Sequence, residues 1–193
     1  MRDLSTYTIV TSNNNKAKEF IKHVGFIIPV RVGEDIREVF SSDIETVAIY
    51  KALEAGKNNI IEDTALHIED VAVGVNVKWM LDTIEEHQFK GARWEVCIAL
   101  NDGDEISLYK GITYGTIVPS EKDKFNHDKY AFGFDKNFRP YYTSKTLYEL
   151  DCFGKKDKYS ARMKAIMNLL HDNPSKVIKI KDIEEWSGRY QND

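Results

Sequence analysis

Cysteine is almost missing from this chain. Cys97 and Cys152 are the two present in 193 residues, too few and too far apart for a metal knuckle, and they point to a reduced compartment. No excess of basic charge is found either. With 27 Lys and Arg against 31 Asp and Glu, the formal charge is -4, which argues against a broad nucleic-acid footprint and in favour of a small ligand in a local basic pocket. No run reaches the roughly 18 apolar residues of a membrane span. No charged-then-apolar leader opens the chain, so a cytoplasmic location is expected. The sequence also lacks G-x-x-x-x-G-K-[ST], H-E-x-x-H and G-x-S-x-G, and its five histidines are scattered. A P-loop, a zinc protease helix and a hydrolase nucleophile elbow are thereby excluded. No internal repeat, low-complexity linker or domain boundary is visible, and one domain over 1–193 is expected.

What is present is an apolar share of 42%, enough to fill a core, and a legible order of elements. Residues 5–11 (STYTIVT) read as a strand, and Lys16 to Val24 carries apolar residues at 17, 20, 21 and 24, the spacing of a helix. "FIIPVRV" (26–32) reads as a second strand, placed at an edge by Pro29. A helix in "SSDIETVAIYKALEAGK" follows, with Ser42 and Glu45 at capping-box spacing, apolar residues at 44, 47, 48, 52 and 55 on one face and Gly56 as its stop. "NIIED" (59–63) reads as a short buried strand ending in two carboxylates. "TALHIEDVAVGV" is expected to be extended and "VKWMLDTIEEH" helical. Residues 92–100 and 106–118 alternate as a long hairpin about the polar turn "NDGDE". Residues 119–130 read as a loop, and a last amphipathic helix spans about 158–171, with Met163, Ile166, Leu169 and Leu170 on its face. The segment after it carries no pattern.

Four places have chemical content. "TSNNNK" (11–16) joins the first strand to its helix, where ligands of α/β sheets gather. Its amides and Lys16 would suit a phosphate, and an Asn-rich turn that only caps a helix explains the same residues. Glu62 and Asp63 after an apolar run, with Glu38 as a third acid, could converge on a hard cation such as Mg²⁺. Acids on a surface strand end are the plain alternative. Lys155, Lys156, Lys158 and Arg162 crowd the start of the last helix, as a basic pocket or a solvated face. "FGFD" offers Phe132 or Phe134 as a platform for a base and Asp135 as an acceptor, or simply two core rings.

The order of these motifs resembles the inosine triphosphate pyrophosphatase family, also called Ham1-like, over most of residues 7–171. T-x-N-x-x-K is matched by Thr11, Asn13 and Lys16. A Glu thirteen residues before a helical Lys is matched by Glu38 and Lys51. The acidic pair after a buried strand is "IIEDTAL", followed by Lys78 and Trp79 as in some members. "GITYG", "FGFD" and "TLYEL" match G-x-T-x-G, F-G-[WY]-D and T-x-A-E-[LM], and "KKDKYSAR" matches K-x(4)-SHR.

The resemblance implies an α/β fold: a long, curved, mixed β-sheet with flanking helices, and two lobes around a central nucleotide cleft. It implies a homodimer that uses Mg²⁺, or Mn²⁺, to hydrolyse non-standard purine nucleoside triphosphates such as ITP, dITP or XTP to monophosphate and pyrophosphate. Carried over by position, Glu38, Glu62 and Asp63 would hold the metal, and Asp63 would orient or deprotonate the water. Lys16, Lys51, Asn13 and Thr11 would hold phosphates. Phe132 would stack on the base, and Asp135, Lys156, Ser160 and Arg162 would lie at its edge. Neither a nucleic acid nor a membrane is an expected partner. Departures fall at the base: Ala161 stands where the family has His, Lys136 where it has Pro, and Thr46 where many members have Glu, while "DVAVGVNVKW" replaces a Gly-rich loop. A shifted base preference is one alternative, and a non-catalytic nucleotide binder on the same fold is another.

Overall fold

The computed structural model describes residues 3–26, 28–31, 36–71, 77–120 and 133–191, with the side chains of residues 77–79 left aside. The first three strands are parallel, and the first two of them are short. β1 (Thr8–Val10) lies between the edge strand β2 (Val30–Arg31) and β3 (Asn59–Ile68). The rest of the sheet is antiparallel: β4 (Gly91–Asn101), β5 (Glu105–Ile117) and β6 (Phe138–Pro140) follow β3 in order, and β7 (Lys176–Lys179) adds to β5. Among the described residues this makes one seven-stranded mixed sheet.

The helices cover both faces, as the two-sided apolar character of the strands requires. On one face lie α1 (Asn14–Val24) and α5 (Ala161–Leu170), whose Phe20, Ile166 and Leu169 pack on Leu66, Trp94, Val96 and Ile98. On the other lies α2 (Ile44–Ala55), whose Ala48, Ile49 and Ala52 meet Ile61, Cys97, Ala99 and Leu108. α3 (Val77–Asp82), which holds the backbone of Lys78 and Trp79, and α4 (Leu147–Cys152) are single short pieces. Among the described residues no helix is long and apolar enough to cross a membrane.

Local chemistry explains the helix starts. Asn13 caps α1 by accepting from the amides of Asn15 and Lys16, and left-handed Gly25 ends it. α2 departs from the expected capping box. Its cap is Asp43, not Ser42, and the Asp43 carboxylate accepts from Glu45 N, Thr46 N and Thr46 Oγ1. The Asp43 carboxylate offers a separate oxygen to each of these two amides, and its charge suits the positive end of the helix. β3 is also longer than "NIIED": it pairs with β4 without interruption to Ile68. Residues 119–120 follow β5, while 121–130 of the expected loop lie outside the described residues.

α5 approaches the sheet closely at Gly111, a glycine of "GITYG". A Cβ there would stand 1.9 Å from the Ala161 carbonyl oxygen and 2.6 Å from the Ala165 amide. Only glycine lets the start of α5, with Ser160 and Arg162, sit so close to β5.

Candidate active site

β1 is the shorter neighbour of β3. It pairs through Thr8 with Asn59 and through Ile9 with Ile60, so from Glu62 onward β3 has β4 on one side and, among the described residues, no strand on the other. This is the crevice beyond the carboxyl end of a parallel strand, where α/β sheets bind ligands. α1 begins at its mouth. Thr11 Oγ1 accepts from Asn13 N at 3.1 Å and Asn13 Oδ1 caps the helix, so both oxygens shape the turn that delivers Lys16. The Lys16 ammonium then reaches the open edge, 3.3 Å from both the carbonyl and the Oε1 of Glu62.

β3 has no bulge here, so its side chains alternate and Glu62 and Asp63 face opposite sides. Glu62 faces α1 and α5. Its carboxylate accepts from Arg162 Nε at 2.6 Å and Nη2 at 3.2 Å. Burial pushes the Glu62 carboxyl up, but Arg162 and Lys16 outweigh it and hold it down at about 2. Asp63 faces α2. Lys51 stands between it and Glu38, 2.9 Å from Asp63 Oδ1 and 2.8 Å from Glu38 Oε1. Burial would lower the Lys51 ammonium, yet the Asp63 and Glu38 carboxylates carry it well above its ordinary value. Asp63 Oδ2 is buried and has no hydrogen-bond partner among the described residues.

The three expected metal carboxylates are therefore divided two and one. Among the described residues no three of His, Cys, Asp and Glu converge as a metal set. Glu38 and Asp63 do converge on one ammonium, and Asp63 keeps an unspent, desolvated oxygen. Two carboxylates completed by phosphate oxygens and water are the usual protein share of a Mg²⁺ site, so this donor set fits such an ion.

On the opposite face the basic cluster is split: Lys155 and Lys158 are exposed to solvent, whereas Lys156 and Arg162 are buried. Lys156 and Arg162 are 5% and 1% exposed. Lys156 Nζ lies 2.8 Å from Asp135 Oδ2 and 3.0 Å from Glu19 Oε1, and Arg162 Nη1 also binds Glu19. Burial raises the Asp135 carboxyl despite Lys156, whereas burial of Glu19 is outweighed by Arg162 and Lys156, which bring it below its usual range. Ser160 caps α5 by accepting from Met163 N at 3.2 Å. The Arg162 guanidinium lies over Trp94, 5.9 Å from the ring centroid, and Phe134 meets Trp94 edge-on. Phe132 lies outside the described residues.

Glu19 and Trp94 are not among the expected site residues. Glu19 sits three residues after Lys16, on the same side of α1, and that spacing is the available signal. Trp94 reads in sequence as one more apolar strand residue.

Such a mixed sheet, flanked by helices whose lysines are aimed at buried carboxylates beside an open strand edge, defines an α/β protein. The chain belongs to the Ham1 family, whose model matches residues 7–172. It is 30% identical to an inosine triphosphate pyrophosphatase of Scheffersomyces stipitis, over 77% of this chain and 88% of that one. It is 31% identical to one of Podospora anserina, over 83% and 89%, and 28% identical to one of Candida albicans, over 84% and 95%. The fold is similar to that of the Staphylococcus aureus Ham1 protein, with a TM-score of 0.62 at 21% identity, covering 86% of this chain and 96% of that one.

Proposed function

We propose that this chain is a nucleoside triphosphate pyrophosphohydrolase that cleaves non-standard purine nucleotides such as ITP, dITP and XTP between the α and β phosphates. Family membership and the pyrophosphatase relatives support this reading. The observation that carries it is Lys51 between Glu38 and Asp63, with Asp63 Oδ2 buried and unpartnered among the described residues, beside the open edge of β3.

Lys16 and Lys51 neutralise the triphosphate, and Asn13 keeps its amide NH₂ as a donor while its oxygen caps α1. Asp63 takes the proton of the attacking water as it adds to the α phosphorus and the bond to the bridging oxygen breaks, so that pyrophosphate leaves. A divalent ion held by Glu38 and Asp63, Mg²⁺ or Mn²⁺, would supply charge neutralisation at the phosphates. Glu62 holds Arg162 and Lys16 in place. Asp135, Lys156, Ser160 and Arg162 form the wall for the base, with Phe132 the expected stacking ring. A homodimer and a cytoplasmic site of action complete the reading.

Base preference is the part most open to change. Ala161 is fully buried and offers no side-chain donor where the family has His, which favours a second reading with the same chemistry and a shifted base.

The test is incubation of the purified chain with ITP, dITP, XTP and the standard nucleotides, with and without Mg²⁺. Monophosphate and pyrophosphate are the expected products, formed only with the cation. Release of single phosphates, or no turnover of any nucleotide, would overturn the assignment.

A further inference from the structure

The Ham1 match ends at residue 172, yet the segment beyond it packs on β5, on α2 and along residues 38–40. β7 pairs with β5, and Ile178, Ile180 and Ile183 pack against the α2 side of the core. Tyr50 of α2 donates to the Glu184 carbonyl at 2.8 Å, and its ring lies 5.1 Å from that of Trp186. The chain then turns back. Trp186 Nε1 donates to the Arg189 carbonyl at 3.0 Å, and residues 189–191 run antiparallel to residues 38–40. Phe40 N donates to Arg189 O and Gln191 N to Glu38 O, both at 2.8 Å. The Arg37 guanidinium lies over the Tyr190 ring, 4.5 Å from its centroid.

These contacts bracket one residue. Val39 is held inward at 1% exposure, and the two backbone bonds on either side of it set the path of the chain at Glu38. Glu38 then presents Oε1 to Lys51. We propose that segment 189–191 is a clamp that positions Glu38 beside Lys51 and Asp63. The proposal rests on the reading of Glu38 as a site carboxylate and adds a positioning element outside the family match. Gln191 acts chiefly through its backbone N–H, its side-chain Nε2 adding a long 3.5 Å bond to the Val39 carbonyl, and Tyr190 acts through its ring.

Gln191→Pro removes the N–H that the Glu38 carbonyl accepts, while Gln191→Ala keeps it. A melting temperature within a few degrees of the parent's in both variants is the folding control. Tyr190→Ala and Tyr190→Phe make the same contrast for the Arg37 contact. In Gln191→Pro the Phe40 amide should exchange its hydrogen roughly tenfold faster, as its protecting bond loosens. The Mg²⁺ concentration for half-maximal pyrophosphate release should rise at least about threefold, with kcat at saturating Mg²⁺ within about twofold, since binding and not chemistry is disturbed. Tyr190→Ala should move in the same direction, and Gln191→Ala and Tyr190→Phe should match the parent.

Unchanged exchange in Gln191→Pro overturns the clamp, and so does faster exchange with unchanged Mg²⁺ dependence. Glu38→Gln separates the two levels. If it shifts the Mg²⁺ dependence and the tail variants do not, the clamp alone fails; if Glu38→Gln itself has no effect, the metal reading of Glu38 fails and the clamp with it.

Discussion

Glu62 and Asp63 are adjacent in β3 and work on opposite faces of the sheet, Glu62 bound by Arg162 of α5 and Asp63 by Lys51 of α2. Glu62 has its oxygens taken by cations. Asp63 retains a buried oxygen with no partner among the described residues. The two acids should therefore fail differently when they are neutralised.

Asp63→Asn should lower pyrophosphate release by about 10²- to 10⁴-fold, the usual weight of a positioned general base. Nucleotide binding should survive, because Lys16 and Lys51 remain. Turnover and equilibrium binding of ITP measure this, and a variant that binds and still turns over would remove Asp63 from the chemistry. A parent chain that binds and never turns over would be a nucleotide binder.

Glu62→Gln should act on stability. It takes from the Arg162 guanidinium, 1% exposed, the carboxylate that meets two of its nitrogens, while Glu19 stays in place. Breaking a buried pair this way costs about 3 to 5 kcal/mol. A urea midpoint close to the parent's would show that the pair is not needed for folding.

Acid should expose the same pair. Glu62 is held down at about 2 from an ordinary 4.5, so the unfolded chain binds the extra proton first as pH falls. Its stabilisation is complete above about pH 4.5 and is lost as pH drops toward about 2, a change on the order of 3 kcal/mol. Glu95 adds to the slope, since a hydrogen bond with His67, together with Lys110, also holds it at about 2 against burial. Glu62→Gln should thus flatten the acid limb of stability without abolishing it, as read from denaturant midpoints across that range.

Gly111→Ala should push α5 away from β5. The added carbon meets backbone at 1.9 and 2.6 Å, atoms that cannot rotate aside, so a loss of about 3 kcal/mol or more is expected, the severe end of overpacking. Displacing the start of α5 also moves Arg162 off Glu62, and activity should fall with the melting temperature. A stable, active Gly111→Ala chain would mean that α5 does not dock so closely on β5.

Much of this arrangement is legible in the order of residues. The apolar spacing of α1, the alternation of β4 and β5 and the succession of motifs all depend on neighbours in sequence. β3 is harder to read. It is buried on both faces over most of its length, so it shows no alternation, and a strand that ended at Glu62 and Asp63 would leave both acids free to converge. Because β3 runs on to Ile68, the pleat sends them apart. Glu19 is hidden because a charged residue on a helix looks the same whether it faces water or a buried Arg162 far along the chain. The segment after residue 172 has little apolar pattern, and its role comes from pairing with the edges of β5 and of residues 38–40.

By itself, then, the sequence determined the periodic elements, the family and the residue types available for phosphate and metal, since these follow from local spacing and chemistry. Only the tertiary structure decided which carboxylate each cation takes, which acid keeps an oxygen unspent, and that residues 189–191 hold Glu38. Those outcomes depend on packing between residues distant in the chain, many of them on the order of a hundred positions apart, and no local pattern encodes which buried charges meet.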